Sequence, residues 1–181
     1  MRLAAIPMVI LAVAGTAATA FGQYRVDDLG MIADHLGSVH AWRMIPPTLF
    51  ERCISENPAQ ESSLRASYER WSRDNHDLIP LIDRTVDLVV PLFAKANSMT
   101  EPETKRKIIE ETSRQINEVY LSNVTVNIAR VCADYPVIVA KLSDAGHTAV
   151  IRGKVYALEG MVAARREKVA PERTEHRDRS L

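Results

Sequence analysis

The sequence predicts an all-α protein, a helical bundle of four to five helices with two long antiparallel helices, one disulfide and a cleaved signal peptide. Three observations support this fold class. Apolar residues return at every third or fourth position over long stretches, as one face of a helix requires. Helix-start signals stand at Asn57 and Thr100. Two isolated cysteines follow an apolar N-terminal leader.

Residues 1–20 are typical of a secretory signal peptide. Arg2 provides a positive charge, the run from Leu3 to Val13 is almost wholly apolar, and residues 18–20 form an A-x-A cleavage site. The run is short for a membrane-spanning helix, which needs about 20 apolar residues. An uncleaved anchor is the alternative interpretation. Cleavage would give a mature chain that begins at Phe21.

The segment 21–46 is predicted to be partly irregular. A short helix fits near 27–36, and residues 39–45 (VHAWRMI) suit a strand or an extended stretch. Pro46 and Pro47 should end this segment, because proline lacks a backbone donor. The helical domain is expected to span residues 47–166, beginning with a short helix over 48–55 that carries Cys53.

Asn57 and Pro58 form a helix start, with Asn as cap and Pro at the first helical position. The helix should run towards Ala96, with Pro80 and Pro91 kinking or interrupting it. Its apolar stripe is regular and contains Leu64, Tyr68, Trp71, Asn75, Leu78, Ile82, Val86, Val89 and Phe93.

Thr100 and Glu103 form a capping box that starts a second long helix. Pro136 should end it near Asp134, because the residue before a proline disfavours helical geometry. A short helix over 137–142 and another over 148–166 should follow, the latter despite Gly153 and Gly160. The tail, residues 167–181, is charged, has few apolar residues and is expected to be disordered.

The overall charge excludes some partners. Lys and Arg number 23, Asp and Glu also 23, and loss of Arg2 with the signal peptide leaves a net charge of −1. A near-neutral chain is not expected to bind nucleic acid, which needs a basic surface. No later segment is apolar enough to span a membrane after signal cleavage.

Cys53 and Cys132 are expected to form one structural disulfide, since an isolated pair in an oxidising compartment usually pairs. Two buried free thiols are the alternative. The bridge would join the short helix at Cys53 to the far end of the helix that begins after Thr100.

A polar cluster on the apolar stripe is the candidate site. It comprises Trp71, Asn75, His76 and Asp77, immediately before Pro80. One interpretation is a structural joint, in which Asn75 or a water satisfies backbone groups freed by the proline. The other is a polar pocket that binds a ligand.

Motifs for common chemistry are missing. The sequence has no Walker A, G-x-G-x-x-G or G-x-S-x-G pattern. The five histidines show no metal-ligand spacing, and we expect them to be surface residues or local hydrogen-bonders. We therefore predict no catalytic residues, no metal site and no cofactor.

The leader, Cys53 with Pro58, the segment YERWSRDN at 68–75 and the later Cys132 resemble small secreted helical proteins of proteobacteria. The resemblance covers about residues 53–132 and implies no activity.

The expected function is that of a non-enzymatic interaction or ligand-binding module in the periplasm or outside the cell. Its partner would be another periplasmic protein or a small apolar ligand. The alternative is a periplasmic enzyme whose site is assembled from dispersed residues near Asn75, His76 and Asp77. A deep polar pocket would favour the enzyme, and a contiguous exposed apolar patch the interaction protein.

Overall fold

The computed structural model describes residues 28–120 and 128–169, and these are all-helical. The six α-helices of this part of the chain, with one 3-10 turn at Pro58–Gln60, are α1 Asp28–Glu56, α2 Glu61–Asp74, α3 Leu78–Ala96, α4 Glu101–Tyr120, α5 Ile128–Leu142 and α6 Ala145–Val169. The predicted signal peptide, residues 21–27 and the tail from 170 onward lie outside the described residues. The all-α prediction is confirmed for the described part.

α1 is the central helix and packs against all five others. Four consecutive residues, Val39, His40, Ala41 and Trp42, are buried, which in a helix means that every side is covered. α1 and α6 run in opposite directions, because the α1 residue Trp42 contacts Leu142 just before α6 whereas Ser38 contacts Lys154 well inside α6. The two longest helices of the described residues, α1 and α6, thus pack antiparallel.

The prediction of a partly irregular segment over 21–46 is wrong from Asp28 onward. α1 continues through Pro46 and Pro47 as one helix of 29 residues. Each internal proline costs about 3 kcal/mol of helix stability. Burial outweighs that cost, since each fully buried aliphatic side chain contributes roughly 1.5–3 kcal/mol. The buried positions of α1 recur at helical spacing on both sides of the prolines: Leu29, Ile32, Leu36, Val39, Trp42, Ile45, Leu49 and Cys53.

The predicted helix from Asn57 to Ala96 is two helices, because α2 ends at Asp74 and α3 begins at Leu78. The interruption lies just before Pro80, which occupies the first turn of α3, where its missing N–H is not needed. Pro91, in contrast, lies within α3 and does not interrupt it. An interruption is therefore found just before Pro80, as predicted, whereas Pro91 does not interrupt α3.

The turn between α3 and α4 closes α3 tightly. Met99 N–H donates to Ala94 O and Ser98 N–H to Lys95 O, the paired bonds of a Schellman motif. Ser98 accordingly adopts a left-handed backbone with φ of 54°. Thr100 Oγ1 then accepts from Glu103 N–H at 3.4 Å, which confirms Thr100 as the cap of α4.

Pro136 does not end a helix. It lies inside α5, which runs from Ile128 to Leu142 and includes Asp134, so the boundary predicted there is wrong. The predicted helix over 148–166 is confirmed and extends over 145–169 as α6. Its first turn is capped by Asp144, whose Oδ1 accepts from Gly146 N–H at 2.9 Å and from His147 N–H at 3.3 Å.

The Cys53–Cys132 disulfide is confirmed, with Cα atoms 5.3 Å apart and a sequence separation of 79. It joins the last turns of α1 to the first turns of α5, and both cysteines are buried. Because Cys132 belongs to α5, the expected link to the far end of a helix starting at Thr100 is corrected to a link with the start of α5.

Candidate functional site

Asn75 is the joint between α2 and α3. Its backbone N–H donates to Trp71 O, which closes α2, and its own carbonyl accepts from Leu78 and Ile79 N–H, which opens α3. Its side-chain Nδ2 donates to Trp71 O at 2.8 Å and to Ser143 Oγ at 3.0 Å. Asn75 is 2% exposed, and these contacts tie the joint to the turn between α5 and α6.

The four residues of the predicted pocket do not converge on one cavity. Trp71 and Asn75 are buried, whereas His76 and Asp77 are exposed. His76 Nδ1 lies 3.0 Å from Arg73 O, a local contact. Asp77 Oδ2 accepts from Arg152 of α6 at 2.8 Å, and this hydrogen bond lowers the pKa of Asp77. Asn75 connects the two helices, but its amide donates to Trp71 O and Ser143 Oγ rather than to the His76 carbonyl that Pro80 deprives of a donor. Asp77 links this joint to α6.

Aromatic residues pack around the joint. The ring of Trp71 lies 5.4 Å from that of Trp42 and 5.9 Å from that of Tyr68, and Phe50 stacks on Tyr68 at 5.2 Å. Tyr135 extends the cluster, and its hydroxyl donates to Pro46 O at 3.1 Å. Burial raises the pKa of Tyr135, so the phenol keeps its proton. Such pairs add about 0.5–1.5 kcal/mol each beyond burial.

A hollow of about 40 Å³ borders Trp71 between α2 and α5. Ser67, Asp74 and Ser143 contribute polar groups to its wall. Trp71 Nε1 is buried without a hydrogen-bond partner in the described structure. A hollow of this size holds one or a few waters, and a water donating to Ser67 or Ser143 while accepting from Trp71 would fit the wall chemistry.

A buried polar cluster that the sequence interpretation missed joins α1 to α4. His40 is 5% exposed, and its Nδ1 lies 2.9 Å from Thr112 Oγ1. Thr112 Oγ1 donates its single hydrogen to Ile108 O at 2.8 Å. The expectation that the histidines are surface residues or local hydrogen-bonders is wrong for His40. Its partner is 72 residues away, so the available signal was the position of His40 beside Val39 and Trp42 on the stripe of α1.

A second hollow, of about 10 Å³, borders this cluster and is lined by Gly37, His40, Glu111, Thr112 and Gln115 among others. It has room for about one water molecule. Glu111 is held by Arg114, whose hydrogen bonds lower the pKa of that carboxyl, and by Gln115 at 2.9 Å. The acid nearest to this hollow is therefore already engaged.

The outer face of α6 carries a run of exposed, uncharged residues. We define it by its exposed residues from 149 to 164, all of which are uncharged: Ala149, Val150, Gly153, Tyr156, Ala157, Gly160, Ala163 and Ala164. Val150 and Tyr156 are 60% and 56% exposed. The inner face of the same helix is also apolar, with Ile151, Val155, Leu158 and Val162 buried.

Gly153 and Gly160 on the outer face have open space beside them. A Cβ added at either position would meet nothing within 4 Å. Glycine in a helix interior costs about 1 kcal/mol relative to Ala. Packing within the described chain gives no reason for either glycine.

Within residues 28–120 and 128–169, no three His, Cys, Asp or Glu side chains are placed to hold a metal ion. None of the helices in those ranges is long and apolar enough to cross a bilayer. Comparisons with protein-family models, with curated proteins and with solved structures find no match to this chain.

Proposed function

We propose that this chain is an exported, non-enzymatic interaction protein that uses the outer face of α6 as its contact surface. The observation that carries the proposal is the pair of glycines at 153 and 160, placed beside exposed Val150 and Tyr156. Small residues let two helix backbones approach closely, and large apolar neighbours supply the area to bury.

A protein partner suits the chain better than a small apolar ligand. The two hollows described above, of about 40 Å³ and about 10 Å³, have room for waters only. Small-molecule sites usually enclose roughly 300–1,000 Å³. An apolar surface patch, in contrast, is the usual mark of a protein–protein contact.

The occupant that we propose for the outer face of α6 is a second copy of the chain, packed antiparallel about a twofold axis. Arg152 and Glu159 are both partly exposed and are separated by two helical turns, so they share one edge of the face. With the axis near Tyr156, Arg152 of one copy lies level with Glu159 of the other, and the pair repeats on the opposite side of the axis. A single helix pair is a small interface, so we expect a weak, concentration-dependent dimer.

Replacing both glycines tests this contact, because the stability of the fold should increase whereas the affinity of the dimer should decrease. In the Gly153→Gln/Gly160→Gln variant the helix gains propensity, and urea unfolding should show stability higher by about 1 kcal/mol or more. The longer side chains should hold a second helix away. Sedimentation velocity over a concentration series should therefore show dimer formation for the unmodified chain and a monomer for the variant.

The matched control is Ala133→Gln, an uncharged change at an exposed position of α5. This variant should dimerise like the unmodified chain. A chain that stays monomeric at every concentration, or a double-glutamine variant that still dimerises, would rule out the second copy as the occupant.

Export is supported by the leader and by the disulfide, since disulfides persist mainly in oxidising compartments. Expression of the full chain in a bacterial host should give periplasmic protein whose intact mass corresponds to a start at Phe21 and two hydrogens fewer than the dithiol form. Cytoplasmic protein that retains residues 1–20 would contradict export.

A further inference from the structure

The contact between His40 and Thr112 selects the tautomer of the neutral imidazole. Thr112 Oγ1 uses its only hydrogen on Ile108 O, so towards His40 it can only accept. The hydrogen bond of 2.9 Å therefore requires a proton on His40 Nδ1. In the neutral ring this leaves Nε2 without a proton, and a second proton would have to enter there.

Among the described residues, the charged groups nearest to His40 are already engaged in ion pairs. The nearby charges are Arg43 on α1, Asp83 on α3 and Lys105 on α4. Asp83 lies 3.4 Å from Arg43, and Lys105 is paired with Asp87 at 2.6 Å.

The acid that α4 brings to the hollow beside His40 is engaged as well. Glu111, beside the hollow, is held by Arg114 and Gln115. α6 contributes Lys154, a cation, to Ser38 two residues from His40. A charged His40 would be buried among groups that are already paired.

Among the described helices, α4 has the largest polar share of buried residues. Three of the five residues buried between 101 and 119 are polar: the five are Thr104, Ile108, Thr112, Gln115 and Ile116. Thr104 Oγ1 is also buried without a partner in the described structure. α3, in comparison, buries apolar side chains at seven of its eight buried positions, Thr85 being the exception. A helix with few buried apolar contacts opens at the lowest cost.

We propose that His40 is the trigger of an acid-operated opening, in which protonation of the imidazole releases α4 from α1. The hollow beside His40 gives one water access to the cluster. Release of α4 would expose apolar residues that it now covers, among them Ala33 and Leu36 of α1. This inference is independent of the outer face of α6 and of the proposed function.

The direction of the pH effect follows from burial. Desolvation lowers the pKa of His40 from 6.5 to about 4, against a smaller opposing effect of Asp83. The closed state therefore binds this proton less readily than the open state, and the closed state is favoured fully above pH 6.5. As pH falls from 7 to 4, protonation of His40 alone should therefore raise the equilibrium constant for opening of α4 by about a hundredfold.

Hydrogen exchange of the oxidised full chain, followed by mass spectrometry, tests this opening. After correction for intrinsic exchange rates, peptides from 101–120 should lose about a hundredfold in protection between pH 7 and pH 4, the shift expected from linkage. Peptides from 78–96 should change far less. In His40→Gln the α4 peptides should lose this pH response, whereas His76→Gln, a change at an exposed histidine, should keep it.

Equal protection of α4 at both pH values, or a pH response that survives in His40→Gln, would overturn the proposal. Should His40→Gln fail to fold, NMR titration of the His40 ring in the unmodified chain provides the second measurement. The ring should then titrate near pH 4, and α4 protection should fall between pH 6.5 and pH 4 and level off below that. Protonation without any change in α4 would also overturn the proposal.

Discussion

Replacing both cysteines by alanine is expected to lower the free energy of unfolding by about 4 kcal/mol. The Cys53–Cys132 bridge spans a sequence separation of 79, so its loss restores much conformational freedom to the unfolded chain. It also removes the covalent link between the end of α1 and the start of α5. Urea unfolding of the Cys53→Ala/Cys132→Ala variant beside the oxidised chain measures the difference.

The reduced chain is the control for this measurement, because it retains both sulfur atoms but lacks the bridge. It should unfold at nearly the same urea concentration as the double-alanine variant. A double variant within about 1 kcal/mol of the oxidised chain would mean that the bridge contributes little of the expected chain-entropy effect.

The same substitution at two neighbouring tryptophans should have clearly different costs. Trp42 and Trp71 are 2% and 1% exposed, and their rings are in contact. Trp42 Nε1 donates to Leu142 O at 3.0 Å. This carbonyl is the last of α5, and the last carbonyls of a helix have no backbone donor within the helix. Trp71 Nε1 has no partner in the described residues.

Trp42→Phe should therefore cost about 2 kcal/mol more than Trp71→Phe, because it leaves a buried carbonyl unsatisfied. Both changes remove a similar volume, so Trp71→Phe is the matched control for loss of packing. Thermal and urea unfolding of the two variants give the comparison. Equal costs would indicate that the Trp71 indole is also hydrogen-bonded, with a water in the adjacent hollow as the acceptor.

Helical periodicity predicted the fold class, and the same pattern also indicates the central helix, α1. The apolar stripe of α1 from Leu29 to Cys53 is unbroken in the sequence. Pro46 and Pro47 nevertheless predict a helix boundary within it. Local proline rules express a cost of about 3 kcal/mol, which burial of two or three side chains can exceed. The boundaries predicted at Pro46 and Pro136 are therefore wrong, because tertiary packing decides there.

Side-chain partners across the bundle were beyond reach of the sequence. Asn75 could be placed on a buried stripe, but Ser143 as its partner depends on how the turn after α5 docks. His40 and Thr112 likewise meet only because α4 packs against α1. The disulfide could be predicted from the sequence, because two thiols in an oxidising compartment usually form a bridge.

Charge reversal across the proposed twofold contact is the most direct measurement of the function that we propose. Glu159→Arg should weaken dimer formation in sedimentation velocity, because two arginines would then face each other on each side of the twofold axis. Adding Arg152→Glu to the same chain should restore the dimer, although the exposed pair of Arg152 with Asp77 is lost. Glu159→Arg that associates like the unmodified chain, or a double reversal that remains monomeric, would contradict the antiparallel contact through α6.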